Sequence, residues 1–109
     1  MVQGITLSVY PVKDIARAKQ VYADALGVEP YADAPYYVGF KAGDHEIGLD
    51  PQGTVPMHYW QVDDIRKTMQ TFLDAGGSVQ QDVRDVGGGR VIATVTDPDG
   101  NLIALMQSP

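Results

Sequence analysis

The chain opens on "ITLSVYPV", rich in β-branched and apolar residues, and returns to that character midway in "MHYWQV". Both stretches predict strands. Each is followed by an aspartate, Asp14 or Asp64, and then by apolar residues at helical spacing. Ile15, Ala18, Val21, Tyr22, Ala25 and Leu26 make one stripe; Ile65, Met69, Phe72 and Leu73 make the other. The two aspartates stand at N-cap positions, where a carboxylate accepts the first free N–H groups of a helix. Gly27 and the pair Gly76–Gly77 end the helices, since glycine takes the left-handed C′ conformation without strain. Strand candidates come next: "APYYVGFK" and "HEIGLD" around the turn "AGD", then "RVIATVT" and "LIALMQ" around "DPDGN". A weaker segment, "SVQQDVRDV", precedes Gly87–Gly89.

The two halves are copies of one unit. With Leu7 set over Met57, identical pairs fall at Val12/Val62, Asp14/Asp64, Ile15/Ile65, Gln20/Gln70, Asp24/Asp74, Ala25/Ala75 and Gly27/Gly77. Average composition gives roughly one or two such matches by chance. Each half reads strand–helix–strand–strand–strand. This predicts an α+β domain of two tandem βαβββ modules, residues 1–53 and 54–109. Two helices cannot cover both faces of such a sheet. The expectation is a mixed sheet curved around a cleft, with the helices on the outer face.

Hairpin register sorts the side chains. A turn at Gly43–Asp44 pairs Phe40 with Ile47 and Val38 with Leu49 beneath the helices. The other face then carries Tyr37, Gly39, Lys41, Glu46, Gly48 and Asp50. A turn at Pro98–Gly100 sets Val95 opposite Ile103 and Ala93 opposite Leu105, leaving Ile92, Thr94, Thr96, Leu102, Ala104 and Met106 on the open face. On the first strands, period two separates Leu7, Val9 and Pro11 from Ser8, Tyr10 and Val12. It likewise separates Met57, Tyr59 and Gln61 from His58, Trp60 and Val62. Periodicity alone leaves open which set faces the cleft.

Composition narrows the chemistry. The chain has 109 residues and no cysteine, which excludes disulfides and thiolate-ligated metals. Eight Lys+Arg against fourteen Asp+Glu give a net charge of −6, a balance that argues against nucleic acid and favours cationic or neutral ligands. No apolar run approaches the ~20 residues of a membrane span, and the start lacks the order of a signal peptide. A cytoplasmic address is expected. Asp97, Asp99 and Asn101 imitate the start of a calcium loop, but the glycine comes too early, at Gly100, and Ser108 stands where a bidentate glutamate is needed. The turn reading is preferred. Gly87–Gly89 with Arg90 lacks the strand–loop–helix context of a phosphate loop and reads as a hairpin or lid.

"VKDIARAKQVYADALG", "QVDDIRKTMQTFLDAGG" and "TDPDGNLIAL", in that order, resemble the motifs of the vicinal oxygen chelate superfamily. That superfamily includes glyoxalase I, extradiol dioxygenases, fosfomycin-resistance enzymes and bleomycin-binding proteins. The resemblance covers nearly the whole chain. It implies divalent-metal ligands on the first and last strands of each module, at Leu7, Gly48, Met57 and Ala104 in this sequence. It also implies that Leu7, Val9, Pro11, Met57, Tyr59 and Gln61 face the cleft. None of the four ligand positions offers the nitrogen or carboxylate oxygen such an ion takes, so neither metal nor other cofactor is expected.

The expected function is therefore metal-free binding of a small organic molecule, cationic or aromatic, in the manner of antibiotic sequestration. The candidate ligand-binding residues are Leu7, Val9, Tyr37, Glu46, Gly48, Asp50, Met57, Tyr59, Gln61, Ile92, Thr94, Ala104 and Met106. Tyr37 and Tyr59 supply flat contact, Gln61 and Thr94 hydrogen bonds, and Glu46 and Asp50 an anionic rim. A homodimer is implied by the resemblance; nucleic-acid and membrane partners are not expected. The alternative is a divergent lyase, isomerase or dioxygenase using non-standard residues, with Glu46 and Asp50 as the acid–base candidates. Of the two histidines, His58 is expected on the helix side, buried or half-buried, and His45 exposed beside its turn. No His–Ser–Asp or two-His-one-carboxylate set is predicted.

Overall fold

A computed structural model describes residues 2–109. The elements are β1 (Val2–Pro11), α1 (Ile15–Leu26), β2 (Ala32–Ala34), β3 (Tyr37–Ala42), β4 (His45–Asp50), β5 (Met57–Val62), α2 (Ile65–Asp74), β6 (Ser78–Asp85), β7 (Val91–Thr96) and β8 (Leu102–Gln107). The chain is α+β, with two βαβββ modules and a mixed sheet. Contacts group Thr6–His58 into one compact unit, and Tyr59–Pro109 with the start of β1 as far as Ile5 into a second.

In the first unit the strand order is β2-β3-β4-β1. β3 pairs antiparallel with β4, Val38 opposite Leu49 and Phe40 opposite Ile47, as the turn predicts. β1 runs parallel to β4, and α1 makes the crossover. Asp14 caps α1, its carboxylate accepting the Arg17 N–H at 3.1 Å. Gly27 closes the helix at φ 73°, donating its N–H to Ala23. The core is Val38, Phe40 and Leu49, with Tyr10, Val12, Ile15, Ala18, Tyr22, Ala23, Leu26 and Ile47 packed on it. The helix stripe is narrower than its spacing suggests: Val21 is 52% exposed and Ala25 is exposed too, while Ala23 faces the core. Only about a 100° arc of a surface helix meets the sheet, and Val21 falls outside it.

In the second unit the order is β5-β8-β7-β6. Val95 stands opposite Ile103 and Ala93 opposite Leu105, again the predicted register. Val62, Ile65, Met69, Ala93, Val95 and Leu105 form the core, with Trp60 and Phe72 in tilted contact at 5.8 Å between ring centroids. Asp64 caps α2 through the Lys67 N–H at 3.1 Å. The side chain of Gln107, at the end of β8, accepts the Ile65 N–H at 2.8 Å. Both of these bonds satisfy first-turn donors that have no helical partner.

The two helix ends differ where their sequences do, Gly76 standing in the place of Leu26. Gly76, at φ 103°, makes the left-handed step after α2. Gly77 has no positive φ; it is glycine for want of room. A Cβ there would overlap the carbonyl oxygen of Thr96 and lie 2.9 Å from that of Phe72.

Candidate functional site

Register assembles the face opposite the helices as cross-strand rows. In the first unit, Leu7, Glu46 and Lys41 form one row and Val9, Gly48 and Gly39 the next, with Asp50 beside Pro11. In the second unit the rows are Tyr59, Ala104 and Thr94, then Gln61, Met106 and Ile92. Each half thus gathers its predicted residues on one face. Leu7, Gly48, Thr94, Ala104 and Met106 are buried; Val9, Tyr37, Glu46, Asp50, Met57, Tyr59, Gln61 and Ile92 are half-buried.

Tyrosines cover the first unit's face. A Cβ at Gly48 would overlap the Tyr37 hydroxyl and lie 2.8 Å from ring carbons. A Cβ at Gly39 would stand 3.0 Å from the ring and hydroxyl of Tyr31. Both glycines are therefore spaces that aromatic side chains use. The Tyr31 hydroxyl donates to Glu46, and the Lys41 ammonium lies 5.3 Å from the centre of the Tyr31 ring. Glu46 and Lys41 thus both address one ring, an arrangement of hydrogen bond and cation–π contact. Asp50 accepts the Gln52 N–H at 2.8 Å and helps shape the turn after β4.

The second unit's polar residues also have partners. Thr94 donates its hydroxyl to the Gln80 side chain, and the Gln61 carbonyl accepts from Ser108 at 3.4 Å. Gln80 reaches Thr94 because the β6–β7 register shifts between Val79 and Gln81, the re-aiming that a β-bulge produces.

The family's metal pattern fails a direct fit. Leu7 and Ala104 are aliphatic, Gly48 has no side chain and Tyr37 fills its space, and Met57 offers only a thioether. Among the described residues no group of three or more histidine, cysteine or acidic side chains converges on one point. No metal-dependent step can be assigned to these positions.

Two of the loops are organised by their own hydrogen bonds. Asp97 accepts the N–H groups of Asp99 and Asn101 at 2.9 and 2.8 Å and the Asn101 amide at 2.8 Å. The carboxylate is spent on its own turn. The Asn101 side chain, then its backbone N–H, hold the Asp97 carboxyl below the ordinary aspartate value. A depressed folded value means the stabilisation is present above the unfolded value and is lost as pH falls through the folded one. Asp97→Ala should lower the melting temperature at neutral pH, with the gap from wild type closing as melts are repeated down to about pH 2. A gap independent of pH would assign the effect to backbone conformation instead. Gly87–Gly89 have φ of 104°, 64° and 79° and close the β6–β7 hairpin, with Val86 donating to Arg90 and Arg90 to Gly87.

One constellation escapes the sequence reading. Ser8, a buried residue, has its hydroxyl 2.9 Å from His45 Nε2 and 2.9 Å from His58 Nδ1. His58 lies on the helix-side set of β5, as alternation requires, but it is exposed; His45 is half-buried rather than exposed. Alternation fixes the face of a strand residue and not its depth. One signal pointed to the pair: Ser8 and His58 occupy the same position in the two repeats.

Residues 4–105 match the model of the Glyoxalase/Bleomycin resistance protein/Dioxygenase superfamily. The chain belongs to that superfamily. Among solved structures it is similar to methylmalonyl-CoA epimerase from Mycobacterium tuberculosis, at a TM-score of 0.79 and 17% identity, covering 99% of this chain and 89% of that one. A superfamily member from Vibrio splendidus 12B01 gives 0.71 and 20%, over 94% and 97% of the two chains. The Mn(II)-bound glyoxalase from Novosphingobium aromaticivorans gives 0.72 and 24%, over 97% of this chain and 39% of that one. At these identities the likeness is one of fold. No curated protein matches the chain in sequence. No helix among the described residues is long and apolar enough to cross a membrane.

Proposed function

We propose that this superfamily member binds a small organic molecule on the face opposite its helices, without a metal ion. The observation that carries the reading is the donor set: the four positions of the metal pattern are Leu7, Gly48, Met57 and Ala104, and a tyrosine occupies the space over Gly48. What remains is apolar, aromatic and edged with carboxylates, a lining suited to a flat, neutral or cationic molecule. Leu7, Val9 and Met57 are the apolar floor in the first unit, and Ile92, Ala104 and Met106 that in the second. Tyr37 is the aromatic wall of the first unit and Tyr59 that of the second, where Gln61 and Thr94 orient a ligand by exchanging their internal hydrogen bonds for bonds to it. Glu46, Gly48 and Asp50 complete the set. Antibiotic or metabolite sequestration by a cytoplasmic homodimer is the role this chemistry suits.

The competing reading is a divergent lyase, isomerase or dioxygenase, in which Glu46 transfers protons with Tyr31 as its hydrogen-bond partner. A thermal-shift screen of cationic aromatic drugs and small metabolites tests binding first. At least one compound should raise the melting temperature of wild type, and Tyr37→Ala should remove most of that rise. No shift with any compound would mean that the faces are filled by their own side chains and serve structure alone.

A further inference from the structure

The Ser8–His45–His58 cluster belongs to neither reading, because it lies on the opposite side of the strands from Leu7, Gly48 and Met57. Ser8 alternates with Tyr10, and His45 with Ile47 and Leu49, and these residues pack with α1. His58 comes from β5, so three strands contribute one group each. We propose that His45 Nε2, His58 Nδ1 and the Ser8 hydroxyl form a site for a divalent transition-metal ion of the zinc class.

Geometry and donor chemistry carry the proposal together. Two imidazole nitrogens from different strands aim at a single oxygen, each 2.9 Å away, so they stand no farther apart than twice that distance. Zinc–nitrogen bonds of about 2.0–2.1 Å require a closer approach. The exposed His58 ring can supply it by turning, while half-buried His45 and buried Ser8 hold their places. A serine hydroxyl has one proton and two lone pairs. Without metal, it donates to one ring nitrogen and accepts from the other, so one of the two nitrogens already presents a lone pair to the centre. A shift of the second ring's proton to its far nitrogen frees the other, with no change in total charge. Imidazole nitrogen suits zinc, cobalt and nickel. Ser8 provides a neutral oxygen as third ligand, and water enters from the exposed His58 side as the fourth. Occupancy would tie His45 and His58 to Ser8 within the first unit, so the ion should raise the melting temperature.

The test is calorimetric titration of tag-free full-length protein with Zn²⁺, paired with the visible absorption of bound Co²⁺. One saturable site per chain is expected. His45→Gln and His58→Gln should each raise Kd by more than the ~10–100-fold that loss of an outer-shell partner costs a metal site. Ser8→Ala should weaken binding less. His58 is exposed, so His58→Gln tests the site without disturbing the core, and circular dichroism confirms that each variant folds. Imidazole ¹⁵N shifts in wild type give a second readout, with Zn²⁺ moving His45 Nε2 and His58 Nδ1. Absence of saturable binding overturns the proposal. So does binding that survives in the His45→Gln/His58→Gln double variant.

Discussion

Phe40→Ala should lower the unfolding free energy by about 3–5 kcal/mol, the usual range for emptying an aromatic site in a packed core. Phe40 is fully buried, with Val38 and Leu49 beside it at 2% and 0% exposure. Its β-strand neighbours cannot collapse into the space without breaking the pairing of β3 with β4. Domains of this size have only about 5–15 kcal/mol in total, so the variant should sit near the edge of folding. Urea denaturation followed by circular dichroism measures the change. A loss below about 1 kcal/mol, no more than a favourable Ile→Val exchange, would show that this cluster does not anchor the first unit.

Gly77→Ala should cost about 3 kcal/mol or more, as overpacking against groups that cannot yield. The repeat-equivalent Gly27→Ala should cost only about 1–2 kcal/mol, the penalty of a left-handed residue with a Cβ. At Gly27 the backbone has φ 73° and nothing lies within 4 Å of the added atom. At Gly77 the added atom meets backbone carbonyls of Thr96 and Phe72, and the Phe72 carbonyl also accepts the Gly77 N–H at 2.8 Å. Moving either carbonyl disturbs the junction of α2 with β6 and β7. Paired denaturation curves of the two variants decide the point, and equal losses would contradict the steric account.

That contrast illustrates what a sequence can carry. The repeat marks both glycines, but only three-dimensional packing separates a conformational reason from a steric one. The N-caps, the register of both long hairpins and the sorting of the hairpin faces were legible because each depends on a few neighbouring residues. Asp14, Asp64, Gly43 and the Asp97–Asn101 turn act over four or five positions. The missing metal donors were legible too, since they depend only on residue type at a mapped position. The covering of Gly39 by Tyr31 and of Gly48 by Tyr37 was not. It depends on Tyr31, just before the three-residue β2, and on Tyr37, at the start of β3, folding back over their neighbours. Nor was the meeting of Ser8, His45 and His58, which come from three strands and match no motif. Burial depth was the remaining loss: Val21 on α1 and His58 on β5 are more exposed than their patterns imply.

Ligand binding on the face opposite the helices should need no metal. The direct measurement is calorimetric titration of a compound from the thermal screen into protein stripped with a chelator, and again after a divalent ion is restored. The same Kd is expected in both, because Leu7, Gly48, Met57 and Ala104 give an ion nothing to hold beside the ligand. Zinc at the His45–His58 site would leave that Kd unchanged. Binding lost on chelation, and regained with the ion in protein carrying His45→Gln and His58→Gln, would contradict it.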